Sequence, residues 1–273
     1  MKYLQSKDNA TFKSLKSLLT RKGRKQSGQF LLEGARYIRS ALEMGIRPEM
    51  LIFSEEIPED APSYGMMSMY GLASCSLRLS NALFAELSDT EHSQGVLAVF
   101  GLANLLTGAP TSPRGDVVVL DVVRDPGNVG TILRTADAAG ISQVFLVEGC
   151  ADPFSPKAMR STAGSILHLR LTIAPRRQII EMLRAQGYRI VASTLGDSQE
   201  SRGFFRQCAG HGGTVPGGEK TPLALVLGNE AQGVSSGFLE AADARIHIPI
   251  YGRAESLNVA VAAGILIYQM QER

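Results

Sequence analysis

Three glycine-bearing segments, each just beyond a run that reads as a β-strand, hold the residues best suited to chemistry. The first is Asp125-Pro126-Gly127-Asn128-Val129-Gly130, running into a helix that carries Arg134. Gly127 and Gly130 would let backbone approach a ligand, and a helix N-terminus favours an anion. Arg134 lies one turn beyond Gly130, placed for a phosphate or carboxylate fork. The second is Leu227-Gly228-Asn229-Glu230-Ala231-Gln232-Gly233-Val234-Ser235. Its G-x-x-x-x-G spacing has Val234 where a phosphate-binding P-loop needs Lys, which argues against nucleotide hydrolysis of that type. The third is Ile248-Pro249-Ile250-Tyr251-Gly252-Arg253-Ala254-Glu255-Ser256-Leu257-Asn258-Val259, where Ser256 reads as a helix N-cap. Each segment also has a plain structural reading. Asn128 would be an N-cap and Arg134 a surface charge; Glu230 would cap a helix from Val234; Ser256 and Asn258 would be turn residues.

The elements that must position these segments follow from hydrophobic period and punctuation. In the first hundred residues, helices are expected over Asn9–Thr20, Ala35–Glu43 and near Ser80–Leu87, and strands at Phe30–Leu32, Met50–Phe53, Leu77–Leu79 and Val96–Phe100. The basic run Arg21–Lys25 reads as a loop. Residues 101–115, rich in Gly, Pro, Ser and Thr, mark a linker. After it the alternation is regular: strand Val117–Val123, helix Asn128–Ala139, strand Val144–Val147, a short helix opened by Ser155-Pro156, strand Ile166–Ile173, helix Pro175–Gln186 and strand Tyr188–Leu195. Residues 196–221 read as a loop. Strands Leu223–Leu227 and Arg245–Ile250 and a helix from Ser256 complete the set. Strands alternating with helices imply an α/β fold on a mostly parallel sheet.

The chain has 273 residues, is 44% hydrophobic and 20% charged, and carries a formal net charge of +2. Those proportions exclude a disordered chain. The longest nearly apolar run, Val259–Tyr268, is too short for a bilayer, and Met1 leads into a polar stretch, so neither a membrane span nor a signal peptide is expected. Cys75, Cys150 and Cys208 and the four histidines are scattered, so no metal site is expected, and the cysteines suit a reducing compartment such as the cytoplasm. Charge is unevenly spread: residues 1–50 hold 11 Lys or Arg against 4 Asp or Glu, while residues 51–112 hold 1 against 7. A basic block of this kind suits a phosphate-facing surface, or else a solvated helix face.

Taken together, Asn128…Arg134, Gly228-Asn229-Glu230…Gly233 and Ile248-Pro249…Ser256-Leu257-Asn258-Val259 resemble the three motifs of the SpoU/TrmH family of RNA ribose methyltransferases. Ser155-Pro156-Lys157-Ala158-Met159-Arg160 with Gly164 is similar to the branch directed to ribosomal RNA. More loosely, GQFLLEGARYIRSAL and HSQGVLAVF are similar to the family's small substrate-binding domain. The resemblance implies an RNA-binding domain over 1–105, a linker at 106–115 and a methyltransferase domain over 116–273 ending in a trefoil knot. It implies S-adenosylmethionine as cofactor, held by Thr194, Leu227, Gly228, Asn229, Gly233, Ile248, Pro249, Ser256 and Leu257. Catalytic roles fall on Asn128, Arg134, Glu230, Ser256 and Asn258, and RNA contacts on Arg21, Lys22, Arg24, Lys25, Arg36, Lys157 and Arg160. Family members are usually homodimers, with Ala260, Ala263 and Gly264 suited to close helix approach across the interface. The reaction implied is 2′-O-methylation of structured RNA, most naturally 23S-type ribosomal RNA. The alternatives are a transfer RNA substrate, a base methyltransferase, or a non-catalytic RNA-binding or ribosome-assembly factor that kept the fold.

Overall fold

The computed structural model describes residues 1–58, 60–90, 92–106, 115–196, 198–210 and 221–273, with the side chains of 209 and 210 left aside. Residues 107–114 of the expected linker, and 197 and 211–220 of the expected loop 196–221, therefore lie outside the described residues. The chain forms two compact units. One comprises Met1–Leu105 with Phe154–Leu167, the other Leu106–Pro153 with His168–Arg273.

In the first unit, β1 (Lys2–Leu4), α1 (Ala10–Ser17) and α2 (Arg21–Ser27) lead to β2 (Gln29–Glu33) and α3 (Ala35–Glu43). Then come β3 (Met50–Ser54), α4 (Pro62–Met69), β4 (Ser76–Leu79), α5 (Asn81–Ala85) and β5 (Val96–Gly101). The sheet order is β1-β4-β3-β5-β2, with β5 antiparallel to both its neighbours. Phe12, Leu15 and Leu18 close one core against Ile52, Leu77, Leu79 and Leu97. The basic run is not a loop but the helix α2. Thr20 caps it by accepting from Gly23 N at 3.0 Å, and Gly28 at φ +68 ends it. Gly23 has no alternative there, since a Cβ would lie 2.0 Å from Ser17 O.

The second unit runs through β6 (Val117–Leu120), α6 (Pro126–Ala138) and β7 (Gln143–Val147). The helix α7 (Pro156–Thr162), capped by Ser155, follows and belongs to the first unit. The second unit resumes with β8 (Arg170–Ala174), α8 (Arg176–Ala185), β9 (Arg189–Ser193), β10 (Gln199–Glu200), α9 (Ser201–Gly210), β11 (Leu223–Leu227), α10 (Ser236–Ala241), β12 (Ala244–His247) and α11 (Val259–Gln271). The sheet order is β10-β12-β9-β11-β6-β7-β8, and every pairing among the described residues is parallel. Strands such as Val117–Leu120 and Leu223–Leu227 are buried throughout, as expected of a parallel sheet covered on both faces.

Three further expectations change. The expected strand Ile166–Ile173 begins only at Arg170, because Ser165–His168 forms a 3-10 turn. Part of the expected loop 196–221 is the strand β10 and the helix α9, anchored by buried Phe204 and Phe205. Ala260 and Ala263, expected at a dimer interface, are buried within the protomer on α11, which packs against α6; the exposed side of α11 carries Val261 and Tyr268.

Candidate functional site

Parallel strands bring their carboxyl ends to one edge of the sheet, where ligands bind in open α/β folds. Leu227 of β11 is in register with Leu120 of β6, Val226 with Ala192 of β9, and Ser193 with Ile246 of β12. Thr194, Gly228 and Ile248 therefore leave three adjacent strands at the same edge. Thr194 N donates to Ile246 O at 2.8 Å, tying two of these ends together.

The loops after β6 and β11 are stitched to each other in both directions. The Glu230 carboxylate accepts from Arg124 N at 3.2 Å, Asp125 N at 3.1 Å and Asn128 Nδ2 at 3.0 Å. Asn229 Nδ2 donates to Val122 O at 2.9 Å, while Asn229 Oδ1 accepts from Ala231 N and Gln232 N. In return, the buried Asp121 carboxylate accepts from Ser235 N at 2.8 Å and from Arg176 Nε and Nη2 at 3.1 and 3.0 Å. Val122 sits at φ +59, a left-handed conformation that a β-branched residue rarely takes, held by these bonds. Gly228 is required by close approach: a Cβ would lie 2.1 Å from Gly233 C and 2.2 Å from Val234 N.

Three of the five expected catalytic residues form one hydrogen-bonded chain. Asn128 Nδ2 donates to Glu230, and Asn128 Oδ1 accepts from Asn258 Nδ2 at 3.1 Å. Asn258 Oδ1 accepts from Ala260 N at 2.8 Å and Val261 N at 3.3 Å, so the N-cap of α11 is Asn258 and not Ser256. Likewise the N-cap of α6 is Asp125, which accepts from Asn128 N, and Gly127 and Gly130 lie inside that helix. Glu230 caps no helix from Val234; α10 starts at Ser236 after Ser235. Partial desolvation alone would raise the Glu230 pKa. The Asn128 amide and the backbone N–H groups of Glu230, Asp125 and Arg124 outweigh it and hold the carboxyl below the ordinary glutamate range.

Arg134 is exposed on α6 and makes no hydrogen bond or ion pair among the described residues. Ser256 lies in the exposed segment Tyr251–Asn258, with Tyr251 93% exposed and Leu257 37%. The neutral, backbone-rich group at the sheet edge suits an adenosine with a cationic centre: Thr194, Leu227, Gly228, Ile248 and Pro249 bring amides and carbonyls and no charged side chain. Among the described residues no three His, Cys, Asp or Glu gather as a metal group, and no helix is long and apolar enough to cross a membrane.

In the first unit the expected RNA contacts divide. Arg21, Lys22 and Lys25 are exposed on α2 and Arg36 on α3. Arg24 is 3% exposed and donates from Nη1 to Leu18 O at 2.6 Å, so it secures the turn between α1 and α2 and is unavailable to RNA. Arg160 is paired with Asp89 and also donates to Asp89 O at 3.1 Å. Lys157 is exposed on α7. Sequence reasoning missed Asp121, although an acidic residue directly after the apolar run Val117–Leu120 was a usable signal, since the end of a buried parallel strand opens onto the site.

A model described as the SpoU rRNA Methylase family matches residues 116–268, and one described as an MRM3-like substrate binding domain matches residues 9–98. The chain is 34% identical to the 23S rRNA (guanosine(2553)-2′-O)-methyltransferase RlmP of Bacillus subtilis, over 99% of this chain and 100% of that protein. It is 29% identical to the 23S rRNA (uridine(2479)-2′-O)-methyltransferase of Streptomyces viridochromogenes, over 96% and 89% of the two chains. The crystal structure of an AdoMet-bound rRNA methyltransferase from Sinorhizobium meliloti superposes with a TM-score of 0.82 at 30% identity, covering 99% of this chain and 97% of that one. The chain belongs to the SpoU rRNA methylase family.

Proposed function

We propose that this protein transfers a methyl group from S-adenosylmethionine to a ribose 2′-hydroxyl of ribosomal RNA, with 23S-type RNA as the substrate. The observation that carries the reading is the chain Glu230–Asn128–Asn258, which joins all three glycine-bearing segments next to the open sheet edge. The backbone of Thr194, Leu227, Gly228, Asn229, Gly233, Ile248, Pro249 and Leu257, with the Ser256 hydroxyl, would hold the cofactor. When bound, the cofactor supplies a methyl group on a sulfonium, already a strong electrophile. The protein must then align the hydroxyl and ease loss of its proton.

A guanidinium is an anion holder and a poor proton acceptor, so Arg134 is given no general-base role. Its free guanidinium holds the phosphate beside the target ribose and polarises the hydroxyl. Glu230 spends its lone pairs on three N–H donors, which makes it a positioning group; the Asn128 and Asn258 amides and Ser256 orient ribose and cofactor. In this reading residues 1–105 bind RNA, 106–115 link, and 116–273 form the methyltransferase domain with its trefoil knot. The protein acts as a cytoplasmic homodimer in which Arg134 serves the partner's site and the exposed face of α11 meets the second copy.

The test is calorimetric titration with S-adenosylmethionine, then transfer from methyl-labelled cofactor into separated ribosomal and transfer RNA from cells lacking the protein. Label in 23S RNA that disappears with Arg134→Ala, while cofactor binding persists, is the expected result. Label confined to transfer RNA, or no cofactor binding, would overturn the reading.

A further inference from the structure

Within the first unit, α3 borders a cavity of about 480 Å³ whose lining includes Arg36 and Arg160 and whose interior has been given no role. Its size falls within the range of about 300–1,000 Å³ of small-ligand sites. Leu31, Leu32, Leu97 and Met159 give it an apolar lining, and Tyr37 contributes an aromatic ring. The ring packs against Gly164, where a side chain would fit only by shifting it, and lies in ordinary contact range of Gly34. A Cβ on Gly164 would lie 2.6 Å from Tyr37 Cδ1, and one on Gly34 3.4 Å from Cδ2; both glycines have left-handed φ, at +93 and +107. The rim is equally fixed. The Glu33 carboxylate accepts from Ser88 Oγ and Thr90 Oγ1 at 2.7 Å, from Ser93 Oγ at 2.6 Å and from Asp89 N at 3.1 Å. Asp89 is itself neutralised by Arg160.

With both carboxylates engaged and Gln94 Oε1 accepting from Ala35 N, Arg36 and His92 on the lining are exposed and without a hydrogen bond or ion pair among the described residues. An apolar chamber with a held aromatic ring takes a flat, uncharged ring; a free guanidinium at its mouth takes an anion. One unit of RNA supplies both, provided its base is not paired, because a paired base keeps its faces in the stack. We propose that this cavity receives an unpaired nucleotide of the RNA substrate, its base against Tyr37 and Met159 and its phosphate on Arg36. This rests on the reading of RNA as the substrate.

The full-length protein is titrated with an unstructured oligoribonucleotide carrying 2-aminopurine, with the same strand annealed to its complement, and with inorganic polyphosphate as competitor. Tight binding of the single strand with quenching of 2-aminopurine is expected, against weaker, unquenched binding of the duplex. Tyr37→Leu should weaken single-strand binding roughly ten-fold and remove the quench, the effect of losing one stacked base. Arg36→Gln, on an exposed side chain that leaves the fold alone, should weaken binding and lower the salt slope by about one unit. Both should keep the wild-type affinity for S-adenosylmethionine. Equal affinity for single strand and duplex, equal competition by polyphosphate, or wild-type binding by both variants would overturn the proposal. Methyl transfer is scored separately: intact transfer without these effects removes the cavity alone, and intact effects without transfer remove the catalytic reading alone.

Discussion

Replacing Asn128 by Asp exchanges one amide N–H donor for a carboxylate oxygen with no change of shape. The new oxygen would lie where Asn128 Nδ2 now stands, 3.0 Å from Glu230 Oε1. Two like charges at that separation repel by about 1.4 kcal/mol at the dielectric constant of water and about 5.5 kcal/mol at an effective value of about 20. Glu230 is exposed, so screening brings the cost toward the lower end, about 1–3 kcal/mol. That repulsion should push the higher pKa of the pair upward, opposite to the lowering that the Asn128 amide gives Glu230 in the wild type. In the wild type the Glu230 carboxyl is held below its ordinary range, so its contribution is complete above that range and is lost only as pH falls through the lowered value. Wild-type affinity for S-adenosylmethionine and turnover should therefore be flat from about pH 8 to 5 as far as this group is concerned. Asn128→Asp should be weak at pH 8 and recover as acid returns one proton to the pair. Calorimetry and methyl transfer across that range read both quantities. In the double variant Asn128→Asp/Glu230→Gln the Gln amide can donate to the new carboxylate, so its loss should be smaller than the sum of the two single losses. An Asn128→Asp profile parallel to the wild type, with strictly additive losses in the double variant, would refute the hydrogen-bonded chain as the determinant of the site.

Neutralising Arg21, Lys22 and Lys25 together should weaken RNA binding and reduce the salt slope by about two units, measured by filter binding at several salt concentrations. Arg24→Ala should instead lower the thermal midpoint by a few degrees with the slope unchanged, since Arg24 is buried on Leu18 O. Gly228→Ala should destroy S-adenosylmethionine binding, because its Cβ would meet backbone that the paired Asn229 and Gly233 hold in place; Gly203→Ala, facing open space, is the control with unchanged affinity. Burial pushes the Cys150 thiol up to about 11, so at pH 8 only about one such thiol in a thousand is ionised. Half-buried Cys75 and Cys208 should therefore be alkylated first in the native protein, as read by mass spectrometry, with Cys150 modified only on unfolding.

The buried parallel strands were legible in the sequence because their apolar runs have no other use, and the three glycine-bearing segments were legible from residue type and spacing. What escaped was set by contacts distant in sequence or by features with no period. The helix α2 has no apolar stripe; it exists because Thr20 caps it and Gly23 fits against Ser17. The helix α4 is Met- and Ser-rich and gave no signal, and α9 lies in a stretch whose glycines read as loop. Ser256 and Asn258 are equally good caps on paper; in the structure it is the Asn258 Oδ1 that accepts from Ala260 N and Val261 N, while its Nδ2 reaches Asn128, 130 residues earlier. Asp121 went unnoticed for the same reason, since its partners Arg176 and Ser235 are 55 and 114 residues away. The small-residue stripe on α11 was compatible with two surfaces, and packing against α6 took Ala260 and Ala263 into the protomer.

The most direct measurement is the chemical position of the transferred methyl group. Ribosomal RNA from a strain lacking the protein, incubated with the enzyme and methyl-labelled S-adenosylmethionine, is digested to nucleosides and separated. Label should co-migrate with a single 2′-O-methylnucleoside and be absent after incubation with Arg134→Ala. Label on a base, or transfer that survives loss of Arg134, would contradict the assignment of this site to ribose methylation.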